Sequence, residues 1–266
     1  VTVDARASMF QSDSIAENYR RYLSPTVFDP WARLLVETVI PAPGDTVLDV
    51  ASGTGAVARA AALAAGPTGR VIASDLSAGM LAEVSSNAGL KSAPIETLEA
   101  AATAIPLEDE SVDVVYCQHG LPFVRDQRTA LTEMKRVLRP GGSLGIITWV
   151  AGMRLEPFDS YGDVLREEGP TEPFPRAWDF DSVKMTRAQL LKHLAGFEDV
   201  TVNTVSIRLD WPSVDDAVAG ILGTPYGPVF SSLLPERHDH ALSVLRDWMT
   251  ASPHPLVTAF VATARA

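Results

Sequence analysis

Val47-Leu48-Asp49-Val50-Ala51-Ser52-Gly53-Thr54-Gly55 begins as an apolar, β-prone run, carries an acid just before its end, and passes into a turn of small residues. Behind it, Ala56-Val57-Ala58 opens an alanine-rich stretch suited to a helix. A strand that ends in glycines and restarts as a helix brings backbone N–H groups close to a polar ligand, because glycine has no Cβ to hold the ligand off. Asp75 follows Gly55 by 20 residues, at the end of the next β-prone run, where a carboxylate accepts bonds from both hydroxyls of a ribose. An adenosine-containing ligand is the first expectation. Gly53-Thr54-Gly55-Ala56-Val57-Ala58 also fits the G-x-G-x-x-G/A dinucleotide fingerprint, downstream acid included, so a nicotinamide-dependent dehydrogenase stands as a rival reading. Asp49 leans away from it, since a fixed negative charge is unfavourable beside a pyrophosphate and suits an ammonium or sulfonium group.

Outward from the turn, β-prone runs at 46–50, 70–75, 94–98, 112–117 and 143–150 alternate with helical stretches at 56–65, 78–87 and 127–138. Such alternation predicts βαβ units on a parallel sheet, an α/β fold. Ser77 is a candidate N-cap for the second helix, and Pro140-Gly141-Gly142 is read as stopping the third and starting a turn. Before this core, 15–22 and 29–39 read as helices divided by Ser24-Pro25, a lid across the mouth of the sheet. After it, 186–194 reads as a helix, and 200–211 and 256–263 alternate as a terminal strand pair. The 212–255 segment between them is too long for a hairpin turn and has helical patterns at 214–222 and 236–250. The expected organisation is a helical lid at 1–44, a cofactor-binding core at 45–150, and a C-terminal part at 151–266. That last part completes the sheet and carries a substrate cap at 151–197 and 212–255.

Against 22 Lys and Arg stand 33 Asp and Glu, and the resulting charge of −11 repels a nucleic-acid backbone or an anionic membrane. A small molecule is the expected partner, with no nucleic acid and no membrane; nothing speaks to the oligomeric state. No apolar run approaches the roughly 20 residues of a membrane span, and residues 1–14 lack the pattern of a leader, so a cytoplasmic location is expected. Cys117, the single cysteine, excludes an intrachain disulfide and a multi-cysteine metal site. His238-Asp239-His240 lacks a third ligand, so no metal is expected.

These residues resemble the class I S-adenosylmethionine-dependent methyltransferases, in the small-molecule branch related to the ubiquinone/menaquinone-biosynthesis enzymes. The resemblance is strong over 47–150. Its first motif, D-x-G-x-G-x-G, stands here as Asp49-Val50-Ala51-Ser52-Gly53-Thr54-Gly55, with Ala51 for the first glycine. The second is the acid of Ile72-Ala73-Ser74-Asp75, followed by Leu76-Ser77-Ala78-Gly79-Met80-Leu81; the resemblance puts Asp75 on ribose and Leu76 and Met80 near adenine. In the third, the family's acid is replaced by Ala101, leaving the Ala102 backbone for the adenine edge. Tyr116-Cys117-Gln118-His119-Gly120-Leu121 resembles the loop beneath the methionine part of the cofactor. Ala130-Leu131-x-Glu133-Met134-x-Arg136-Val137-Leu138-x-Pro140-Gly141-Gly142 resembles a structural signature that dehydrogenases do not usually carry. The resemblance implies a Rossmann-like seven-stranded sheet, order 3-2-1-4-5-7-6 with the last strand antiparallel, an N-terminal helical lid and a C-terminal helical insertion. S-adenosyl-L-methionine is the implied cofactor, carrying both the ammonium and the sulfonium that suit Asp49, with Ser52, Gly53 and Gly55 in the cradling turn.

Methyl transfer needs the acceptor atom in line behind the methyl in a largely dry site, so positioning supplies most of the acceleration. A hydroxyl acceptor, the favoured kind, also needs a base tuned near neutrality. His119, at a strand end, is the candidate; His238, His240 and His254, in or beside the cap, are weaker ones, and His193 reads as a helix-surface residue. Cys117 and Gln118 are expected to line the cofactor site, and Tyr19 to close over it, with Tyr22 beside it. Phe123, Trp149, Phe158, Trp178, Tyr226 and Phe230 are candidate walls for an apolar acceptor pocket. A cofactor-binding protein of the same fold that catalyses a cyclisation or rearrangement instead also remains open. Alanine richness points to a setting in secondary metabolism.

Overall fold

A computed structural model describes residues 10, 12–84, 91–168, 183–224, 227 and 233–266. The strands are β1 (Thr46–Val50), β2 (Arg70–Asp75), β3 (Ile95–Glu99), β4 (Val112–Gln118), β5 (Leu138–Val150), β6 (Lys184–Met185), β7 (Glu198–Arg208) and β8 (Leu256–Arg265). They form one sheet in the order β3-β2-β1-β4-β5-β8-β7, and the two-residue β6 pairs with the end of β5. β1 to β5 are parallel, while β8 runs antiparallel to both β5 and β7. Counting only the seven long strands, this is the expected 3-2-1-4-5-7-6. The parallel 3-2-1-4-5-6 order of dinucleotide-binding folds is not what the chain forms.

Period-two alternation sends Val47, Val71, Ala73, Val114 and Tyr116 to one face of the sheet and Leu48, Val50, Ile72, Val115 and Cys117 to the other. The first face packs on a π-helical segment (Tyr19–Phe28), which continues α1 (Asp13–Asn18), and on α2 (Asp29–Thr38) and α3 (Ala56–Ala65). Alanines 58, 61, 62 and 65 are wholly buried, and their small side chains let α3 lie close to the strands. The second face packs on α5 (Gln127–Val137) and α7 (Arg187–His193). In α5, Glu133 and Arg136 account for their place in the sequence signature. Glu133 accepts from the Ile105 N–H at 3.0 Å, and Arg136 donates to the carbonyls of Ile105 and Leu107 at 2.8 Å each, pinning the loop that feeds β4.

Four expectations change. Ser24-Pro25 does not divide the lid: 13–38 is one continuous helical run, and the wide π turns take in Pro25, whose missing N–H would break a regular ladder. α4 (Ala78–Ala82) is capped as expected, by Ser77 Oγ accepting from Met80 N–H at 3.2 Å, but it ends at Ala82; residues 85–90 lie outside those described. Pro140-Gly141-Gly142 forms a bulge inside β5 rather than a turn before it. Pairing with β4 steps from Val112–Leu138 to Val114–Ser143, and Gly141 takes φ +75°. The 151–197 segment, in which only 186–194 reads as a helix, also holds α6 (Phe158–Glu168).

The segment between the last two strands forms α8 (Val214–Leu222) and α9 (Pro235–Ala251). α9 packs on α6 and α8, and α8 packs on the π-helical segment. Asn18 Nδ2 donates to the Gly220 carbonyl at 3.1 Å, and Lys184 Nζ, almost wholly buried, pairs with Asp159 at 2.7 Å to hold α6 to β6. No helix of the described residues is long and apolar enough to cross a membrane.

The Tyr116 hydroxyl, buried under α2, donates to the carbonyl of Val39 at that helix's end. Tyr116→Phe strands this carbonyl and is expected to cost about 1–2 kcal/mol, measured as a lowered midpoint of denaturant unfolding.

Candidate active site

The turn after β1 is closed by its own groups. Ser52 N–H donates to Ser74 O at 2.9 Å, Gly55 N–H to Ser52 O at 3.0 Å, and Gly53 N–H to Asp75 Oδ2 at 2.8 Å. Asp75 Oδ1 accepts from Ser77 N–H at 2.9 Å, so this one carboxylate ties the glycine turn to the start of α4. Asp49 Oδ2 accepts from Ser52 Oγ at 2.6 Å and from Ala58 N–H at 3.0 Å in the first turn of α3. Both bonds fall on Oδ2, so Oδ1 keeps its acceptor capacity. Burial pushes Asp49 up to about 7 and raises Asp75 as well, the hydrogen bonds only partly offsetting it. With the Ser52, Gly53 and Gly55 N–H groups committed inside the turn, the N–H groups of Ala56 and Val57, at the start of α3, lack a partner within their own helix.

This turn lines a cavity of about 590 Å³ at the carboxyl ends of β1, β2, β4 and β5. Tyr19, Asp49, Ala51, Ser52, Gly53, Asp75, Leu76, Met80, Ala101, Ala102, Gln118 and His119 are on its wall, as the sequence suggests. Gly55 is not; it caps α3 at φ +83°, where an added Cβ would press on Val84. Gly53, at φ +55°, has open space where a Cβ would stand, the gap that a closely approaching ligand needs. Tyr19 is stacked on Phe28 (centroids 5.7 Å apart, planes at 14°) and meets Phe10 edge-on, while Tyr22 turns to Gly220 of α8.

Two candidate roles are corrected. Cys117 does not line the cavity: strand alternation points it to the α5 face, where burial pushes its thiol up to about 12. His119 is on the wall, yet it is 5 % exposed, and burial lowers it to about 3, which makes its ring a weak proton acceptor near neutrality. Its ring stacks on Trp149 with centroids 3.6 Å apart, and Trp31 meets it edge-on. Neither ring nitrogen has a hydrogen-bond partner among the described residues. His193, His238, His240 and His254 are off the wall.

Phe123, Trp149 and Phe158 line the cavity as anticipated; Trp178, Tyr226 and Phe230 lie outside the described residues. Sequence reasoning missed Phe10, Leu23, Val27, Phe28, Leu155, Val183 and Thr224. Leu23, Val27 and Phe28 follow from the amphipathic lid once it is known to be continuous; the others carry no local signal.

Ala51 has φ +55°, the left-handed region that glycine adopts freely, and a Cβ on Gly120 would overlap that of Ala51. Ala51→Gly is therefore expected to stabilise the protein by roughly 0.5–1 kcal/mol. Gly120→Ala is expected to destabilise it, and less so in the Ala51→Gly background; a double-mutant cycle by chemical denaturation checks both.

Comparison with known proteins agrees with this geometry. The methyltransferase domain family matches residues 48–146. The ubiquinone/menaquinone biosynthesis C-methyltransferase UbiE of Hahella chejuensis is 37% identical over 141 residues, covering 51% of this chain and 56% of that protein. The chain thus spans about half the length of the curated relatives it matches. Among solved structures, a candidate methyltransferase from an antibiotic biosynthesis pathway of Anabaena variabilis superposes with a TM-score of 0.64 at 15% identity, covering 92% of this chain and 98% of that one. A SAM-dependent methyltransferase from Aquifex aeolicus gives 0.51 at 20% identity, covering 75% and 93%. Residues 48–146 thus match the methyltransferase domain family, and about half of the chain is similar to the ubiquinone/menaquinone biosynthesis C-methyltransferases.

Proposed function

We propose that the chain binds S-adenosylmethionine in this cavity and transfers its methyl group to a small, partly apolar acceptor. The observation that carries this reading is the pair of buried acids, Asp49 and Asp75, on one cavity wall around a glycine turn that leaves room for close approach. Bound there, the cofactor supplies a methyl group on a positively charged sulfur.

The chain's own residues then have these roles. Asp75, already oriented by Gly53 and Ser77, accepts from the ribose hydroxyls. Leu76 and Met80 pack on the adenine, and Ala101 and Ala102 border its edge. Asp49 balances the ammonium group, and the Ala56 and Val57 amides face the carboxylate. Phe28, Trp149, Leu155 and Phe158 wall the acceptor side and keep it dry.

The oxygen acceptor favoured by the sequence reading rested on a base at His119. An imidazole that burial makes so weak a proton acceptor gives that little support, so the protein acts here by orienting a nucleophile that is reactive on arrival rather than by deprotonating it. The dehydrogenase reading is set aside on sheet order, and no feature of the cavity favours a cyclisation. The acidic surface charge fits a small-molecule acceptor rather than nucleic acid.

Calorimetric titration with S-adenosylhomocysteine tests the reading, with NADH as the parallel titrant. Micromolar binding of the former, lost in Asp75→Ala, supports it; binding of NADH alone contradicts it. Because Asp49 titrates at about 7 and its ionised form is the one that meets an ammonium, affinity is expected to tighten about tenfold per pH unit below 7 and level off above it. Asp49→Asn is expected to bind weakly and without this pH dependence. In the free protein the sign is the reverse: the Asp49 value lies above its unfolded 3.8, so its stabilising share is present below about 4 and lost as pH rises through 7. Asp49→Asn, which keeps an oxygen for Ser52 and Ala58, is therefore expected to melt higher than the parent at pH 8.

A further inference from the structure

The π-helical segment is fastened to the glycine turn by two clamps that meet on Thr54. Ser24 Oγ and Thr54 Oγ1 are 2.6 Å apart, and both residues are buried, at 2% and 4% exposure. Arg59 donates through Nη1 to the Thr54 carbonyl at 2.6 Å and through Nη2 to Asp29 Oδ1, at the start of α2, at 2.9 Å. A third tie reaches the β4 loop, where Gln118 Nε2 donates to the Phe28 carbonyl at 3.0 Å. Residues 24–29 thus hold two of the loops that build the cavity, and the same stretch presents Val27 and Phe28 to its wall.

Ten residues of π-helix are an uncommon length, and Pro25 within them gives up one backbone hydrogen bond. Such a register needs outside support. A buried hydroxyl pair supplies support that is sensitive to position, because each hydroxyl is costly to bury without the other. If one residue of the wide turn slipped to an α register, the neighbouring side chains would turn by about 100° around the axis. Val27 and Phe28 would then leave the wall.

We infer that Ser24 is a positioning residue for the cofactor: through Thr54 it locks the glycine turn and the π register of the lid into one unit, so that filling the cofactor side sets the acceptor wall. This rests on the cofactor reading above. It makes binding ordered, cofactor before acceptor, and it makes the lid a wall set in register by the turn beneath it.

S-adenosylhomocysteine is the probe for the test, with affinity by calorimetry and amide hydrogen exchange as the two readouts. Ser24→Ala and Thr54→Val should each weaken binding about tenfold, and the double variant also about tenfold rather than a hundredfold, since both remove the same link. Thr54→Ser, which keeps the hydroxyl, should bind within about twofold of the parent. Ligand should slow exchange over residues 19–28 in the parent and in Thr54→Ser, and fail to do so in Ser24→Ala even at saturating ligand. A merely structural role would lower stability without separating ligand-induced protection at 19–28 from protection at the turn. A hundredfold loss in the double variant, unchanged affinity in Ser24→Ala, or parent-like protection of 19–28 in Ser24→Ala overturns the inference while leaving the cofactor reading intact. Absence of binding to the parent overturns both.

Discussion

The Gly53 N–H to Asp75 carboxylate bond, 2.8 Å long, joins the ends of two neighbouring parallel strands and fixes the turn on which the site is built. From it follow the direction of α3, the opening above Gly53 and, through Ser77, the start of α4. The constraint is electrostatic as well as geometric. Two carboxylates are held at adjacent strand ends in a low-dielectric wall, and burial raises both of them. Among the described residues neither has a cation bound directly to it. The arrangement is thus poorest when both are charged and alone, and a ligand with a positive centre and hydroxyl groups relieves it.

Around this charged centre most of the cavity wall is apolar, with a group of aromatic rings on it, and its parts come from distant places in the chain. The sheet supplies the acids and Trp149, the lid supplies Tyr19, Val27 and Phe28, and the C-terminal helical region supplies Phe158 and Thr224. The His119 ring belongs to this aromatic group by its stacking rather than to the titrating machinery. That division between a polar cofactor side and a dry acceptor side is what transfer of a methyl group by positioning requires.

How far the sequence could be read depended on whether the signal was local. The turn at 51–55, the acid at Asp75, the Ser77 cap and the bounds of α8 all rest on a few consecutive residues with one stereochemical solution, and the strand order followed from the resemblance those residues carry. The continuous lid was hidden because Ser24-Pro25 reads as a break unless the helix widens, which only its packing on Thr54 and α8 reveals. α6 was hidden by Gly162 and by the charged, glycine- and proline-rich residues around it. Cys117 was misplaced by one step of strand parity: its neighbours Tyr116 and Gln118 share the lid face and it does not. His119 was misjudged because Trp31 and Trp149, which enclose it, are 88 and 30 residues away in the chain.

In the proposed arrangement one cavity holds the cofactor against Asp49 and Asp75 and leaves the aromatic side for an acceptor. A crystal structure of the protein with S-adenosylhomocysteine shows whether it does. The ribose hydroxyls are expected on Asp75, the ammonium beside Asp49, the adenine between Leu76 and Ala102, and the sulfur facing Phe28 and Trp149. Density for the ligand elsewhere, or with its adenosine on the aromatic side and its amino-acid end away from Asp49, would contradict it.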